Sequence, residues 1–409
     1  MKTPMMLQCL RICAIILSLS VLYGDTLQFK FHPDRDLSIV QIIRKHGYPV
    51  ETHHVTTSDG YIITFYRVPH GRNRNATQKY PVLMVPGTCG CSENFIVAGP
   101  NKATPYFLAD RGFDVWLLNT RGNRHARRHV TLNPNNDKRF WDFGWHEVAV
   151  YDTPALIDYV LDHTKASQVY YIGHSQGTTS YMAFLAEKPE YNDKVRMSVQ
   201  MAPSVLLGDT RTVVRILGKH ASLIQSIFES FNIYELFPNG YNDIVNLLLK
   251  NICAETTILI DLCYVIIYFA SIAKNIETEP IVLQHLFESS PARCSIKELL
   301  HYFQIVHTGD FKQYDYGVQG NMRMYGSREA PLYNLSNVLS PVSLFYAPSD
   351  TLVPIKGVQQ LAKALPRVEV AYEVPSEDFS HIDFITGRSI NELVNKPMYE
   401  LFKKYNNKN

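Results

Sequence analysis

The chain has 409 residues, 46% of them apolar and 19% charged, a balance that fits a protein with a substantial buried core and excludes disordered or fibrous classes. Its formal net charge of +2 is too small to make nucleic acid or an anionic surface the main partner. The size allows one large or two modest domains.

Lys2 and Arg11 precede or open an apolar run, Ile12 to Tyr23, that ends at Gly24-Asp25. A charged start followed by an apolar stretch of this length reads as a secretory signal over residues 1–24, too short for a membrane span of about 20 apolar residues. The mature chain is then expected to be secreted or lysosomal, with no transmembrane span. The sequons Asn75-Ala76-Thr77 and Asn334-Leu335-Ser336 make Asn75 and Asn334 glycosylation candidates in such a compartment.

Leu37 to Lys45 has helical spacing and stops at His46-Gly47-Tyr48-Pro49. Glu51 to Val55 and Tyr61 to Val68 read as strands joined by the Ser58-Asp59-Gly60 turn. From Pro81, strands over Val82 to Val85, Phe113 to Leu118, Gln168 to Ile172 and Val195 to Met201 alternate with helices over Val148 to His163 and Thr178 to Ala186. Such alternation predicts an α/β fold, an open and mostly parallel sheet covered by helices on both faces.

The rhythm breaks after Pro203. Helical patterns follow, including Arg211 to His220, Ile258 to Ala273 and Ile296 to Thr308. Ile258 to Ala273 is apolar nearly all round apart from Asp261, which suits either a buried helix or a cap helix facing a lipid chain. The sheet rhythm resumes at Pro341, with strands over Val342 to Ala347 and Val368 to Val374 and helices over Ile355 to Leu365 and Ile390 to Lys404. Residues 25–204 and 338–409 therefore form one core, interrupted by a helical cap over 205–337.

The strand-like Val169 to Ile172 runs into Gly173-His174-Ser175-Gln176-Gly177, and a helix follows. Strand, sharp turn and helix are the context in which Gly-x-Ser-x-Gly becomes a nucleophile elbow, with Gly173 and Gly177 small because side chains there would meet the neighbouring strand and helix. A serine needs a base to take its proton and an acid to hold that base. Asp350 follows the strand Val342 to Ala347, and His381 follows the strand Val368 to Val374, so Ser175, Asp350 and His381 lie in the order and at the strand ends such a sheet requires. Asp383 is the alternative acid, two residues from the histidine it would have to orient. The oxyanion donors expected are the N–H groups of Gln176 and of Thr88, in the turn Pro86-Gly87-Thr88-Cys89-Gly90 after Val82 to Val85.

Five cysteines follow the signal: Cys89, Cys91, Cys253, Cys263 and Cys294. Cys253 and Cys263 lie close together in one segment and are the first choice for a disulfide, while the pairing of the other three stays open. Arg121, Arg124, Arg127 and Arg128 read first as ion pairs bracing a loop and second as an anion-binding patch. No metal or organic cofactor is implied.

These residues resemble the animal acid lipase family, which includes gastric lipase and lysosomal acid lipase. The resemblance covers essentially the whole mature chain. It rests on His46-Gly47-Tyr48-Pro49, Thr57-Ser58-Asp59-Gly60-Tyr61-Ile62, Asn119-Thr120-Arg121-Gly122-Asn123, Gly173 to Thr179 and His381-Ile382-Asp383-Phe384. It implies an α/β-hydrolase core with a helical cap, a triad of Ser175, Asp350 and His381, and hydrolysis of triacylglycerols or sterol esters at a lipid–water interface. The relatives' paired cap cysteines correspond to Cys253 and Cys263. Three stretches depart from the family. Pro86-Gly87-Thr88-Cys89 stands where His-Gly-Leu-Leu is usual, Ala347-Pro348-Ser349 where a pair of glycines is usual, and Arg293-Cys294 where the relatives have small residues. The competing readings are a short-chain carboxylesterase and a non-catalytic lipid-binding homologue.

Overall fold

The computed structural model describes residues 32–73, 80–210, 213–237 and 277–406. The signal at 1–24, Asn75, the apolar helix over 258–273 and the Cys253–Cys263 pair lie outside the described residues.

Eight strands form one sheet: β1 (Glu51–Thr56), β2 (Ile62–Val68), β3 (Pro81–Val85), β4 (Asp114–Leu117), β5 (Val169–His174), β6 (Val195–Met201), β7 (Val342–Tyr346) and β8 (Val368–Glu373), in the order β1-β2-β4-β3-β5-β6-β7-β8. The pairs β1–β2 and β2–β4 are antiparallel; every pair from β4 to β8 is parallel. Every residue of β3, β5 and β7 is buried. Their largely apolar sequences follow from burial on both faces; Ser343 of β7 and His174 at the end of β5 are the polar exceptions.

The register fixes where the loops emerge. Gly173 of β5 lies opposite both Val85 of β3 and Gln200 of β6. Met201 pairs with Phe345, and Tyr346 with Glu373. The carboxyl ends of β3, β5, β6, β7 and β8 therefore open on one side of the sheet, where open α/β sheets place ligands.

Helices α1 (Ile39–Lys45), α2 (Thr104–Ala109), α3 (Thr153–Thr164) and α4 (Gln176–Glu187) belong to the first part of the chain. The single helix expected over Val148 to His163 is a five-residue π-helical stretch, Val148–Asp152, that passes into α3. Pro154 supplies no N–H, and the Val148 carbonyl takes both the Thr153 N–H and, at 3.0 Å, the Thr153 hydroxyl. The closing helix repeats the pattern, with π-helical Asn391–Asn395 leading into a helix over Lys396–Asn406 that carries Pro397 in its first turn.

No strand of the main sheet lies between Met201 and Val342 among the described residues. This stretch holds α5 (Val213–Lys219), α6 (Ala221–Ser230), α7 (Pro280–Ser289), α8 (Ile296–Thr308) and α9 (Gly317–Tyr325). A Cβ on Gly218 of α5 would come within 2.8 Å of the Phe303 carbonyl oxygen, so α5 and α8 pack at the distance only a glycine permits. Ser295 caps α8: its hydroxyl accepts from Lys297 N–H at 3.1 Å, and Glu298 reaches back to Ser295 N–H at 3.0 Å. The sheet resumes at β7, followed by α10 (Ile355–Ala364).

Candidate active site

Ser175 stands between β5 and α4 with φ 52° and ψ −115°. This left-handed backbone costs a non-glycine residue on the order of 1–3 kcal/mol and persists only where its surroundings over-determine it. Here they do: Ser175 N–H donates to the Met201 carbonyl at 3.0 Å, and the Thr178 amide and hydroxyl return to the Ser175 carbonyl at 2.8 and 2.6 Å. A Cβ on Gly177 would lie 2.3 Å from the Val85 carbonyl oxygen, and one on Gly173 would lie 2.7 Å from the Gly177 carbonyl carbon. Both glycines are fixed by backbone contact.

The turn after β3 faces the serine. A Cβ on Gly87 would be 3.6 Å from Ser175 Oγ and 3.1 Å from Ser175 Cβ. Gly90 N–H donates to the Gly87 carbonyl at 3.0 Å, which makes Thr88 and Cys89 the two corner residues of a β-turn. Cys89 has φ 51°.

Asp350 and His381 meet at the next strand ends. His381 Nδ1 lies 2.8 Å from Asp350 Oδ2, and both side chains are buried. The other oxygen of Asp350 accepts from the Leu352 and Val353 N–H groups, each at 2.9 Å, so the carboxylate cannot swing away from the ring. Ser349 Oγ donates to the Glu377 carbonyl and Ser349 N–H to that of Phe379, tying the acid-bearing turn to the loop that carries the histidine. Asp383 does not reach the ring. Its carboxylate takes the Ser380 amide at 2.8 Å and the hydroxyls of Ser380 and Thr278, each at 2.6 Å, and so braces the loop from behind.

His174 ties the elbow to the loop that carries His381. Its Nε2 donates to the His381 carbonyl at 3.0 Å, and burial holds its pKa down at about 3, so the ring is neutral at ordinary pH. No charge is therefore added beside Ser175.

Sequence reasoning missed the residues of α8 that reach the elbow and the turn after β3. The Gln176 side-chain amide donates to Glu298 Oε1 at 2.5 Å, and burial pushes the Glu298 carboxyl up to about 7. Tyr302 hydroxyl bonds Thr179 Oγ1 at 2.6 Å and also meets the Thr88 side chain. The available signal was Ser295-x-x-Glu298, a capping box that placed Glu298 at the start of a helix without showing what the helix faced.

Cys89 is bonded to Cys294, 205 residues away, and Cys91 is a buried free thiol. The pairing left open in the sequence is thereby settled. Arg293 lies 3.6 Å from Glu235, so its charge is paired. The arginine run braces loops. Arg121 is buried, binding Asp152 at 2.6 and 2.8 Å and Asp59 at 2.6 and 3.0 Å, while Arg127 binds Glu235 at 2.9 and 3.1 Å. Elsewhere His32, Asp34 and His285 bring ligand-type atoms within 4.8 Å of one another, but Asp34 already faces Lys45 Nζ at 2.7 Å and His46 Nε2 at 3.0 Å. Asn334 is exposed, its side chain accepting from Ser336.

A parallel sheet that opens this elbow, acid and histidine on one side defines an α/β hydrolase. The alpha/beta hydrolase fold model matches residues 80–387, and a partial alpha/beta-hydrolase lipase region matches residues 39–99. The chain belongs to the animal acid lipase family of α/β hydrolases. It is 36% identical over 386 residues to Lipase 1 of Drosophila melanogaster, covering 93% of this chain and 83% of the relative. It is 31% identical over 390 residues to the lysosomal acid lipase/cholesteryl ester hydrolase of Macaca fascicularis, covering 91% and 92%. With the gastric triacylglycerol lipase of Bos taurus it shares 30% over 357 residues, covering 87% and 88%. Among solved structures, a bacterial membrane phospholipase A shares the fold with a TM-score of 0.51 at 12% identity, over 97% of this chain and 98% of that one.

Proposed function

We propose that the protein hydrolyses carboxylic esters of lipids, triacylglycerols or sterol esters, by a Ser175–His381–Asp350 mechanism. The observation that carries this is the buried 2.8 Å contact of His381 with Asp350, on the strand ends beside a serine forced to φ 52°. Asp350 accepts from His381 Nδ1–H, which leaves Nε2 with the lone pair a base requires. Ser175 Oγ attacks the ester carbonyl while its proton passes to His381 Nε2. The tetrahedral oxyanion takes N–H bonds from Gln176 and Thr88, donors aimed where charge develops. Its collapse expels the alcohol, which leaves with the proton from His381, and the acyl group remains on Ser175. Water then attacks with His381 again as base, and the fatty acid departs.

Residues 25–204 and 338–409 act as the catalytic core and 205–337 as a cap that admits the acyl chain at a lipid–water interface. Secretion or lysosomal delivery after removal of residues 1–24, with glycans on Asn75 and Asn334, agrees with the relatives' names and with the exposure of Asn334. No described helix is long and apolar enough to cross a membrane.

Ser175→Ala tests the reading. The variant is expected to fold with an unchanged unfolding midpoint, to lose turnover of a long-chain ester and to resist a fluorophosphonate probe. Turnover retained by a folded Ser175→Ala protein refutes the mechanism. A chain-length series then separates a lipid hydrolase from an esterase of short soluble esters.

A further inference from the structure

Three side chains of different chemistry converge just beyond the turn after β3, and the ester mechanism uses none of them. Cys91, Glu93 and His125 bring a thiol sulfur, a carboxylate oxygen and an imidazole nitrogen within 4.8 Å of one another. His125 Nε2 lies 2.6 and 2.8 Å from the two oxygens of Glu93. Cys91 is wholly buried, its thiol donating to the Ser289 carbonyl at 3.5 Å. The Glu93 and His125 side chains keep 10% and 17% exposure, which opens the group to solvent on one side. Among the described residues Glu93 pairs with His125 and with no lysine or arginine, unlike Asp34, which already carries Lys45. Arg124, whose charge reaches Glu93 from a distance, turns its guanidinium to the Glu288 carbonyl at 3.4 Å.

The two loops that carry these groups are tied to each other. Asn119 Oδ1 accepts from Ser92 N–H at 2.9 Å and from the Asn123 side-chain amide at 3.0 Å, and that amide also donates to the Gly90 carbonyl at 3.1 Å. Asn123 Oδ1 takes His125 N–H at 3.0 Å, and Asn94 Oδ1 takes Cys91 N–H at 2.9 Å. An outer layer of contacts surrounds the three groups. Ser92 Oγ donates to Glu93 Oε2 at 3.1 Å, and the Tyr66 hydroxyl lies 3.0 Å from His125 Nδ1. That hydroxyl can accept Nδ1–H, the contact that fixes a metal-bound histidine with its Nε2 lone pair inward.

We propose that Cys91 Sγ, the Glu93 carboxylate and His125 Nε2 form a zinc site, with water as the fourth ligand on the solvent side. One sulfur, one nitrogen and one oxygen suit zinc, whereas calcium and magnesium take oxygen throughout. A thiolate and a carboxylate cancel the charge of a divalent ion, and the imidazole stays neutral. On binding, the Cys91 S–H bond breaks, an S–Zn bond forms and the proton passes to the buffer. Tetrahedral zinc with bonds of about 2.0–2.3 Å holds its ligand atoms about 3.3–3.6 Å apart, so the Glu93–His125 contact must open by roughly 0.6 Å. The rival role for the same residues is a hydrogen-bonded brace for the short helix Ser92–Phe95, which requires no metal.

The test uses the purified full chain, treated with a chelator under non-reducing conditions and then titrated with zinc chloride by calorimetry and with cobalt chloride by absorption. The expected result is one zinc per chain with a Kd at or below about 1 μM, and a thiolate-to-cobalt charge-transfer band. Cys91→Ser should abolish that band and, like His125→Gln, weaken zinc binding at least about tenfold. Zinc should also raise the thermal midpoint of the wild-type protein and leave that of both variants unmoved. No saturable binding below about 100 μM overturns the proposal. A charge-transfer band that persists in Cys91→Ser overturns it too, since the metal then sits on another thiol. Should Cys91→Ser not fold, Glu93→Gln and His125→Gln decide, and zinc affinity unchanged in both overturns the proposal. None of these readouts depends on ester turnover, so the zinc site and the Ser175 mechanism fail independently.

Discussion

Gly177→Ala tests the close approach of elbow and oxyanion turn with one methyl group. The added Cβ would lie 2.3 Å from the Val85 carbonyl oxygen, 3.0 Å from its carbon and 3.2 Å from the Pro86 carbonyl oxygen. A carbon–oxygen contact relaxes only at about 3.3 Å, so the methyl group demands roughly 1 Å of movement. All three atoms are backbone, and no rotamer change can relieve them. The movement must open the β3–β5 pairing where Val85 meets Gly173, carrying Pro86 to Gly90 away from Ser175. A displacement of about 1 Å within a reacting constellation costs on the order of a hundredfold in rate, or about 3 kcal/mol of barrier. The overpacking itself should cost about 1–3 kcal/mol of stability. The assay is kcat and KM on a p-nitrophenyl ester together with urea unfolding, with Gly99→Ala as control. Gly99, unlike Gly177, has positive φ (+77°), and nothing lies within 4 Å of its Cβ position, so that control should lose stability alone. A folded Gly177→Ala protein with kcat within twofold of wild type would show that the contact with β3 does not set the site.

Asp350→Asn should leave Leu352 and Val353 capped by the remaining carbonyl oxygen, yet lower kcat by about four orders of magnitude, because an amide cannot hold the required histidine tautomer. Loss of less than tenfold in steady-state kinetics would remove Asp350 from the mechanism. Arg121→Met leaves Asp59 and Asp152 facing each other without their cation, and urea unfolding should show a loss of about 3–5 kcal/mol. A loss below 1 kcal/mol would mean that the buried pair is not needed. For Glu298, burial raises the folded pKa from 4.5 to about 7, so the native carboxyl keeps its proton while the unfolded one ionises. Its contribution is therefore fully present below pH 4.5 and lost as the pH rises through about 7, on the order of 3 kcal/mol in all. Glu298→Gln should accordingly gain on wild type between pH 5 and pH 8 in paired unfolding measurements, and an equal difference at both values would refute the shift.

The architecture was legible because its strands carry their own signature. β3, β5 and β7 are short, largely apolar and rich in β-branched and aromatic residues, a pattern that suits strands buried on both faces. The helix starts were less legible. Val148–Asp152 and Asn391–Asn395 adopt the π-helical form just ahead of Pro154 and Pro397, and a periodicity of 3.6 cannot register a local change to bonds one residue longer. Nor could composition show which way a cap helix points. The Ser295-x-x-Glu298 pattern marks a helix start, but the bond of Glu298 to Gln176 joins side chains 122 positions apart.

The same reasoning explains the disulfide. Proximity along the chain favoured Cys253 with Cys263, and no local pattern couples Cys89 to Cys294. Loop-closure entropy grows only as the logarithm of length, so closing 205 residues instead of 10 costs roughly 3 kcal/mol more, which a folded sheet can supply, and the bond leaves the Cys253–Cys263 expectation, outside the described residues, untouched. Two departures that looked separate in the sequence, Cys89 in the oxyanion turn and Cys294 in the cap, are one covalent feature. The family's usual pair of leucines at this turn is absent, and Thr88 and Cys89 in their place engage Tyr302 and Cys294. Together they exchange apolar packing for a bond to Cys294 and a contact with the Tyr302 hydroxyl of α8. Cys294→Ser alone, which removes the bond closing 205 residues, should therefore lower the thermal midpoint, and an unchanged midpoint would show that the bond does not stabilise the fold.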